Sequence, residues 1–405
     1  MIPAARLLFE RGRRLQFQAW QRFEDRIFTS RRVAIYSAIL LGCYVLFMIK
    51  GYAGGLWLLD GGGSGKPIDF VAIWAAARLA LSGAPASAYD LAAVTRTQLT
   101  AVGQLGGDYA WAYPPTYFLP LLPFACFSYA TAALLWLSTT LTAYVVAVRG
   151  ILPRAATVLA ALASPFALWN FFAGQNGFLT AALIAGVLVL LDRRPIAAGI
   201  LLGLLTWKPQ LGILFPVVLV LTGRWRVFAA AAVTAVVLAA VSYFAFGAET
   251  WSAFFAAIHN QAGTVLERGD VAFHKQQSVH AMVRTFGGGD TLAWALHGAA
   301  ALAAVAFTVR LWLRPVDYRL KAASLVAAAL ITTPYLFIYD LPILTVPVAF
   351  LASLGIAQGF VPGERTILVL LALVLVLLPG QPVGVPLFAL LMLLITLRLR
   401  LRPSL

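Results

Sequence analysis

Apolar runs recur along the whole chain, at about 33–57, 128–149, 155–172, 177–192, 195–207, 210–222, 227–246, 291–313, 320–335, 341–357, 364–379 and 383–398. No water-soluble core buries that many continuous runs, whereas a bilayer asks for segments of about 20 apolar residues whose backbone bonds are closed internally. The composition agrees, with 61% hydrophobic and only 11% charged residues. The chain therefore reads as an all-α polytopic membrane protein of about twelve transmembrane helices. Several runs are short, and 195–207 and 210–222, which flank "WKPQ", are expected to border a cavity.

The formal net charge of +15 would point to nucleic acid in a soluble protein. Here the basic residues sit in short connections between apolar runs, where they set orientation. By this topology the side holding the N-terminus carries 22 of the 30 basic residues and 6 of the 15 acidic ones. Both termini are thus expected in the cytoplasm of a bacterial plasma (inner) membrane, and nucleic acid is not a partner. Two long loops, 58–127 and 247–290, then face the periplasm or exterior. The other connections are too short to build chemistry, so a site must come from these loops and the outer helix ends. Cys43 and Cys126 lie in or beside apolar runs and read as small core hydrophobes.

Three regions follow: a basic stretch 1–32, a transmembrane domain 33–398 and a tail 399–405. The run after Arg32 is too long for the apolar part of a cleaved signal and is expected to stay as a helix. Within 6–28, Trp20, Phe23 and Ile27 recur at helical spacing among arginines, which suits a helix lying on an anionic leaflet. A solvated basic tail explains the same residues.

Ionisable groups at membrane depth cost about 2.5 to 3.5 kcal/mol on insertion scales, so the few that remain are candidates for function. All of them fall on the outer face. Asp69 follows "GGGSGKP" and precedes "FVAIWAAARLALSG", read as an interfacial helix with Trp74 at headgroup level and Arg78 on its other face. Asp69 is either a helix N-cap or a carboxylate held at the membrane surface. Asp90, at the end of the same loop segment, is the second carboxylate. In "WAYPPTYFLP" the prolines forbid a regular helix at Pro114 and Pro115, so the chain carrying Tyr113 takes an irregular path. "FFAGQNGF" is an outward turn with Gln175 and Asn176 at its tip, and turn chemistry alone would account for its glycines.

Lys208 in "TWKP" ends a short apolar run on the outer side, where orientation rules would not place a lysine. It either snorkels to the surface or meets a phosphate. "TTPYLFIYDLPIL" puts Tyr339 and Asp340 at a similar junction. His274 and Lys275 lie in the second loop, and the six-residue spacing of His274 and His280 has no metal signature, so no metal and no cofactor is expected.

Asp69 with its following helix, "YPP" at 113–115, "GQNGFLTAALIAGVLVLLDRRPIAAGILLGLLTWKPQLGILFPVVLV" at 174–220 and "YDL" at 339–341 together resemble glycosyltransferase family 87, also known as domain of unknown function 2029. The order and spacing of these segments, across most of 60–345, carry the resemblance. It implies a GT-C fold, a sugar donor on a polyprenyl phosphate as in polyprenyl-phosphate-mannose-dependent mannosyltransferases, an inverting reaction and a catalytic aspartate mapping to Asp69. It also implies that "TWKP" and the second outer loop border the donor.

Physical chemistry fits that expectation. An outward-facing site cannot draw on nucleotide sugars confined to the cytoplasm, while a lipid-borne sugar has already crossed. Phosphate leaves with little protonation, so one carboxylate base acting on an acceptor hydroxyl suffices. The expected site has Asp69 as base, with Asp90 as alternative, and Lys208, His274 and Lys275 toward the donor phosphate. Tyr113, Gln175, Asn176, Tyr339 and Asp340 line the pocket. The partners are a polyprenyl-phosphate sugar, a lipid or glycan acceptor and membrane lipids. A transporter or lipid flippase is the competing class; it would show ionisable or helix-breaking residues near mid-membrane, which this sequence lacks.

Overall fold

A computed structural model describes residues 18–262, 275–377 and 381–401, and among these every regular element is helical. A short helix α1 (18–27) leads into α2 (Ser30–Ala53). The long loop that follows holds α3 (Phe70–Leu81), α4 (Leu91–Leu99) and α5 (Phe118–Ala125). The bundle continues with α6 (Tyr129–Ile151), α7 (Ala155–Leu162), α8 (Pro165–Ala173), α9 (Gly177–Leu190), α10 (Pro195–Leu204), α11 (Pro209–Gly212), α12 (Leu214–Leu221) and α13 (Trp225–Ala262). It closes with α14 (Val279–Thr285), α15 (Asp290–Trp312), α16 (Tyr318–Thr332), α17 (Thr345–Gln358), α18 (Glu364–Leu377) and α19 (Gly384–Leu401).

Among the described residues six helices are long and apolar enough to cross a bilayer: Ser30–Ala53, Tyr129–Ile151, Trp225–His259, Asp290–Trp312, Ile338–Gln358 and Gly384–Leu401. A seventh arises if α7 and α8, bent by 53° at their junction, form one span. The other expected segments are helical at the expected places but shorter, among them Gly177–Leu190, Pro195–Trp207 and Pro209–Leu221. Prolines at the first helical position start α8, α10 and α11, where the missing N–H has no helical partner to lose. What lets short helices persist is burial. α9 and α16 present buried residues on all sides, including every residue from Ala322 to Ile331, so protein rather than lipid surrounds them. Along α2 one residue of 24, Ser37, is buried. Its exposed Ile39, Leu46 and Ile49 are matched by Val233, Val236 and Phe244 on α13, apolar faces that suit lipid contact.

A close backbone approach joins α10 to α13. A Cβ on Gly199 would lie 2.5 Å from Ala230 Cβ, and one on Gly203 2.5 Å from Thr234 Cβ. "GILLG" is a small-xxx-small pattern that lets two helices meet at the backbone. α13 breaks at Gly247 (φ 81°, ψ 163°), and its second part carries Phe254 to within 5.9 Å of the Tyr89 ring in the long loop.

One end of the bundle holds the basic connections. Tyr318 donates to Leu188 O (2.6 Å), Arg224 pairs with Asp192 (3.0 Å) and Arg319 with Asp317 (2.8 Å). Gln358 donates to the same Asp317 (3.3 Å), and Arg398 and Glu364 form a fully buried pair. Helix α1 docks here too. The buried Glu24 accepts from the backbone N–H groups of Gly363 (3.0 Å) and Thr366 (2.8 Å), capping α18 from outside. Trp20 and Phe23 of α1 stay exposed, their rings 5.5 Å apart. Residues 18–27 are therefore tied to the bundle through Glu24.

Candidate active site

The opposite end of the bundle gathers the polar residues. Asp69 takes the N-cap position of α3, yet its side chain makes no capping bond; its Oδ2 accepts instead from Gln175 Nε2 at 3.3 Å. The approach to it is fixed by Tyr129, whose hydroxyl accepts from Ile68 N–H (3.1 Å) and donates to Lys66 O (2.9 Å). Farther along α3, Trp74 donates to Phe127 O (3.1 Å) and Arg78 to Ala125 O (3.0 Å). α3 is thus buried under the rest of the loop rather than lying open on a membrane surface. The expectation for Arg78 also needs correcting. Its guanidinium sits 5.6 Å from the Trp74 ring centre, on the same side of the helix, because residues four apart share a face.

Asp90 is placed differently. Its Oδ1 accepts from the N–H groups of Ala92 (2.8 Å) and Ala93 (3.3 Å), so this carboxylate is the N-cap of α4. The two aspartates exchange the bland and the unusual reading: the runner-up caps a helix, and the first candidate does not.

The "GQNG" tip joins the halves of the site. Gly174 closes α8 in the left-handed region (φ 73°), and a Cβ there would meet Phe70 Cβ at 2.7 Å. A Cβ on Gly177 would lie 1.9 Å from Tyr339 O, while its N–H donates to Asn170 Oδ1 (2.9 Å). The tip therefore packs the start of α3 on one side and the "YDL" turn on the other. Gln175 and Asn176, at this tip, are buried. Gly177→Ala forces two backbone segments apart, an overpacking worth about 1–3 kcal/mol. It is expected to lower the thermal midpoint and transfer activity together, measurable by a melting curve and a transfer assay on the same preparation.

Lys208, at the junction of α10 and α11, is buried and paired with Asp340, its Nζ 5.3 Å from the Tyr339 ring centre. Asp340 Oδ2 also accepts from Phe337 N–H (3.2 Å), fastening the 3₁₀ turn Ile338–Leu344 that opens α17. The lysine does not snorkel. Its charge is balanced inside the protein, which leaves less of it for a phosphate than the sequence led one to expect.

Tyr113 joins the same centre, with Lys208, Asp340 and Asp69 all close enough to act on its hydroxyl. Its carbonyl accepts from Tyr89 OH (2.8 Å). The Asn176 amide lies beside the hydroxyls of Tyr113 and Tyr117, and neither of its own polar atoms completes a bond of ordinary length. Lys275, exposed, lies within the second loop, on the segment that leads into α14. Gln277 N–H donates to Leu336 O (2.7 Å), and Gln277 Oε1 accepts from Gly384 N–H (2.9 Å). That clamp brings the Lys275 charge into range of Asp69. His274 lies outside the described residues.

Asp69 retains some exposed surface, but the protein packed around it makes burial the largest influence on its carboxyl and raises it above the ordinary carboxylate range. The Gln175 hydrogen bond and the Lys275 charge oppose that rise. Three aromatic residues that the sequence did not mark also build the centre. Trp111 stacks on Tyr117 at 5.8 Å and 6°, and Tyr117 on Trp207 at 5.0 Å and 23°. "TWKP" held a local hint of Trp207; Tyr117 and Tyr129 had none.

The fold and the cluster define a multi-pass membrane protein built around a polar centre at one end of its bundle. Residues 111–338, more than half of the chain, match the profile of Glycosyltransferase family 87, and the chain belongs to that family. Its activity is accordingly that of a membrane glycosyltransferase. No curated protein and no solved structure matches it. The matched range begins after Asp69 and ends before Tyr339 and Asp340, so the case for those three rests on their geometry.

Proposed function

We propose that the protein transfers a single hexose, such as mannose, from a polyprenyl-phosphate donor to a hydroxyl of a lipid or glycan acceptor, with inversion and with Asp69 as general base. The observation that carries this reading is the Asp69 carboxylate itself, placed at a helix start yet turned away from the backbone toward Gln175, with a cation nearby. In the reaction the acceptor oxygen bonds to the anomeric carbon as the carbon–oxygen bond to phosphate breaks. The bonding pair leaves on the phosphate, and the acceptor proton passes to Asp69. Lys275 is the cation for the departing phosphate. Lys208 acts as a positioning residue, holding the "YDL" turn through Asp340. Tyr113, Gln175, Asn176 and Tyr339 fix the sugar and the base, so that positioning and electrostatics supply most of the acceleration.

The site faces the periplasm or exterior of a bacterial plasma membrane, with both termini in the cytoplasm and 33–398 forming a twelve-pass GT-C domain. The alternation of connections between the two ends of the bundle supports this reading, as does the bias of basic residues toward one of them. Proteoliposomes given radiolabelled polyprenyl-phosphate mannose or labelled nucleotide sugar separate the donors. Label is expected to move only from the lipid donor, and transfer from the nucleotide sugar alone contradicts the reading.

The raised Asp69 carboxyl sets a pH dependence. The base is the ionised form, so transfer is complete above the folded-state pKa and is lost as pH falls through it. Because burial raises that pKa, the loss begins at higher pH than for an ordinary aspartate. A rate profile at saturating donor measures it.

A further inference from the structure

Beyond the polar centre, a second recess lies within the long loop. It is an open cleft of about 680 Å³ between the C-terminal parts of α3 and α4, within the range of ordinary ligand sites. Its polar lining comes from Arg78, Arg96, Ser82, Ser87, Thr97 and Thr100, and no acidic residue lines it. Two guanidiniums and four hydroxyls without a carboxylate make a donor-rich surface suited to an oxyanion, and guanidinium is the side chain that matches phosphate in two-point contact.

The arginines differ in what already holds them. Arg78 uses one donor on Ala125 O and rests on Trp74. Arg96 is exposed, and among the described residues its guanidinium has no hydrogen bond or salt bridge. Each also stands in the last turn of its helix, where a cation offsets the helix dipole. That offset explains the positions but not a cavity with hydroxyls around it.

We propose that the α3–α4 cleft binds a phosphate group through Arg78, Arg96 and the hydroxyls around them. This binding does not depend on the function proposed above. Phosphate can arrive on a lipid headgroup or on a water-soluble glycan, and the cleft's chemistry is the same for both.

The test uses the full-length protein without donor, so its outcome is independent of sugar transfer. Binding of inorganic phosphate is measured in neutral-lipid nanodiscs, and retention of phosphatidylglycerol is measured by native mass spectrometry. Wild type, Arg96→Gln and Arg96→Lys are compared, since Arg96 is exposed and its replacement leaves the fold intact. Arg96→Gln is expected to weaken binding by about tenfold or more, with Arg96→Lys between the two. Weakened phosphate binding identifies a soluble phosphate-bearing ligand, and loss of retained phosphatidylglycerol identifies a lipid headgroup; either result supports the cleft. If neither probe binds, or if Arg96→Gln binds both as wild type does, the arginines serve only the helix ends and the proposal is overturned.

Discussion

Asp69→Asn is expected to lower sugar transfer by about 10²- to 10⁴-fold, the usual contribution of a positioned general base, while the melting temperature stays at the wild-type value. Stability should hold because the wild-type carboxylate makes no capping bond to α3, so none is lost. The amide oxygen of asparagine can still accept from Gln175 Nε2, and the start of α3 remains fastened by Tyr129, Trp74 and Arg78. Basicity is what disappears. Asp90→Asn is the matched control. It preserves a residue that caps α4 equally well, and transfer should be unchanged. A normal rate in the first variant together with a lost rate in the second would move the base to Asp90.

The second large effect concerns the buried pair. Lys208→Met or Asp340→Asn alone leaves one charge in a site closed to water, a loss of about 3–5 kcal/mol. Thermal melting in detergent should show a marked drop for each single variant. The double variant Lys208→Met with Asp340→Asn removes both charges and keeps an oxygen to accept from Phe337 N–H, so most of the melting temperature should return. Transfer activity in the double variant is the informative reading. If Lys208 positions the "YDL" turn, activity returns with stability. A stable double variant without activity instead assigns the lysine charge to the donor phosphate.

Much of the architecture could be read from punctuation. Prolines, glycine turns and arginine pairs mark where helices start and stop, and the helices occur in the expected places. Helix length against the bilayer was not legible in the same way, because it depends on which runs are enclosed by others. α9 and α16 look like membrane spans by composition, and only their all-round burial shows why they can be short. At the site, Asp69 stood out as a charge after a hinge in a chain with few charges. Its role was ambiguous because the decisive partner, Gln175, lies 106 residues away. Asp90 offered the same local signal and turned out to cap a helix. Lys208 and Asp340 were both singled out, but their pairing across 132 residues is a tertiary fact, as is the Tyr129 hydroxyl that holds the segment before Asp69. For α3, the error lay in treating Trp74 and Arg78 as opposite faces when a spacing of four places them together.

The proposed reaction depends most heavily on the ionisation of one carboxylate beside Gln175 and Lys275. Transfer from polyprenyl-phosphate mannose should therefore be followed across pH in wild type and in Asp69→Asn of equal thermal stability. Wild type is predicted to show a limb that falls with acid from above the ordinary carboxylate range, and the residual rate of the variant should lack it. The same limb persisting in Asp69→Asn would show that another group carries the proton.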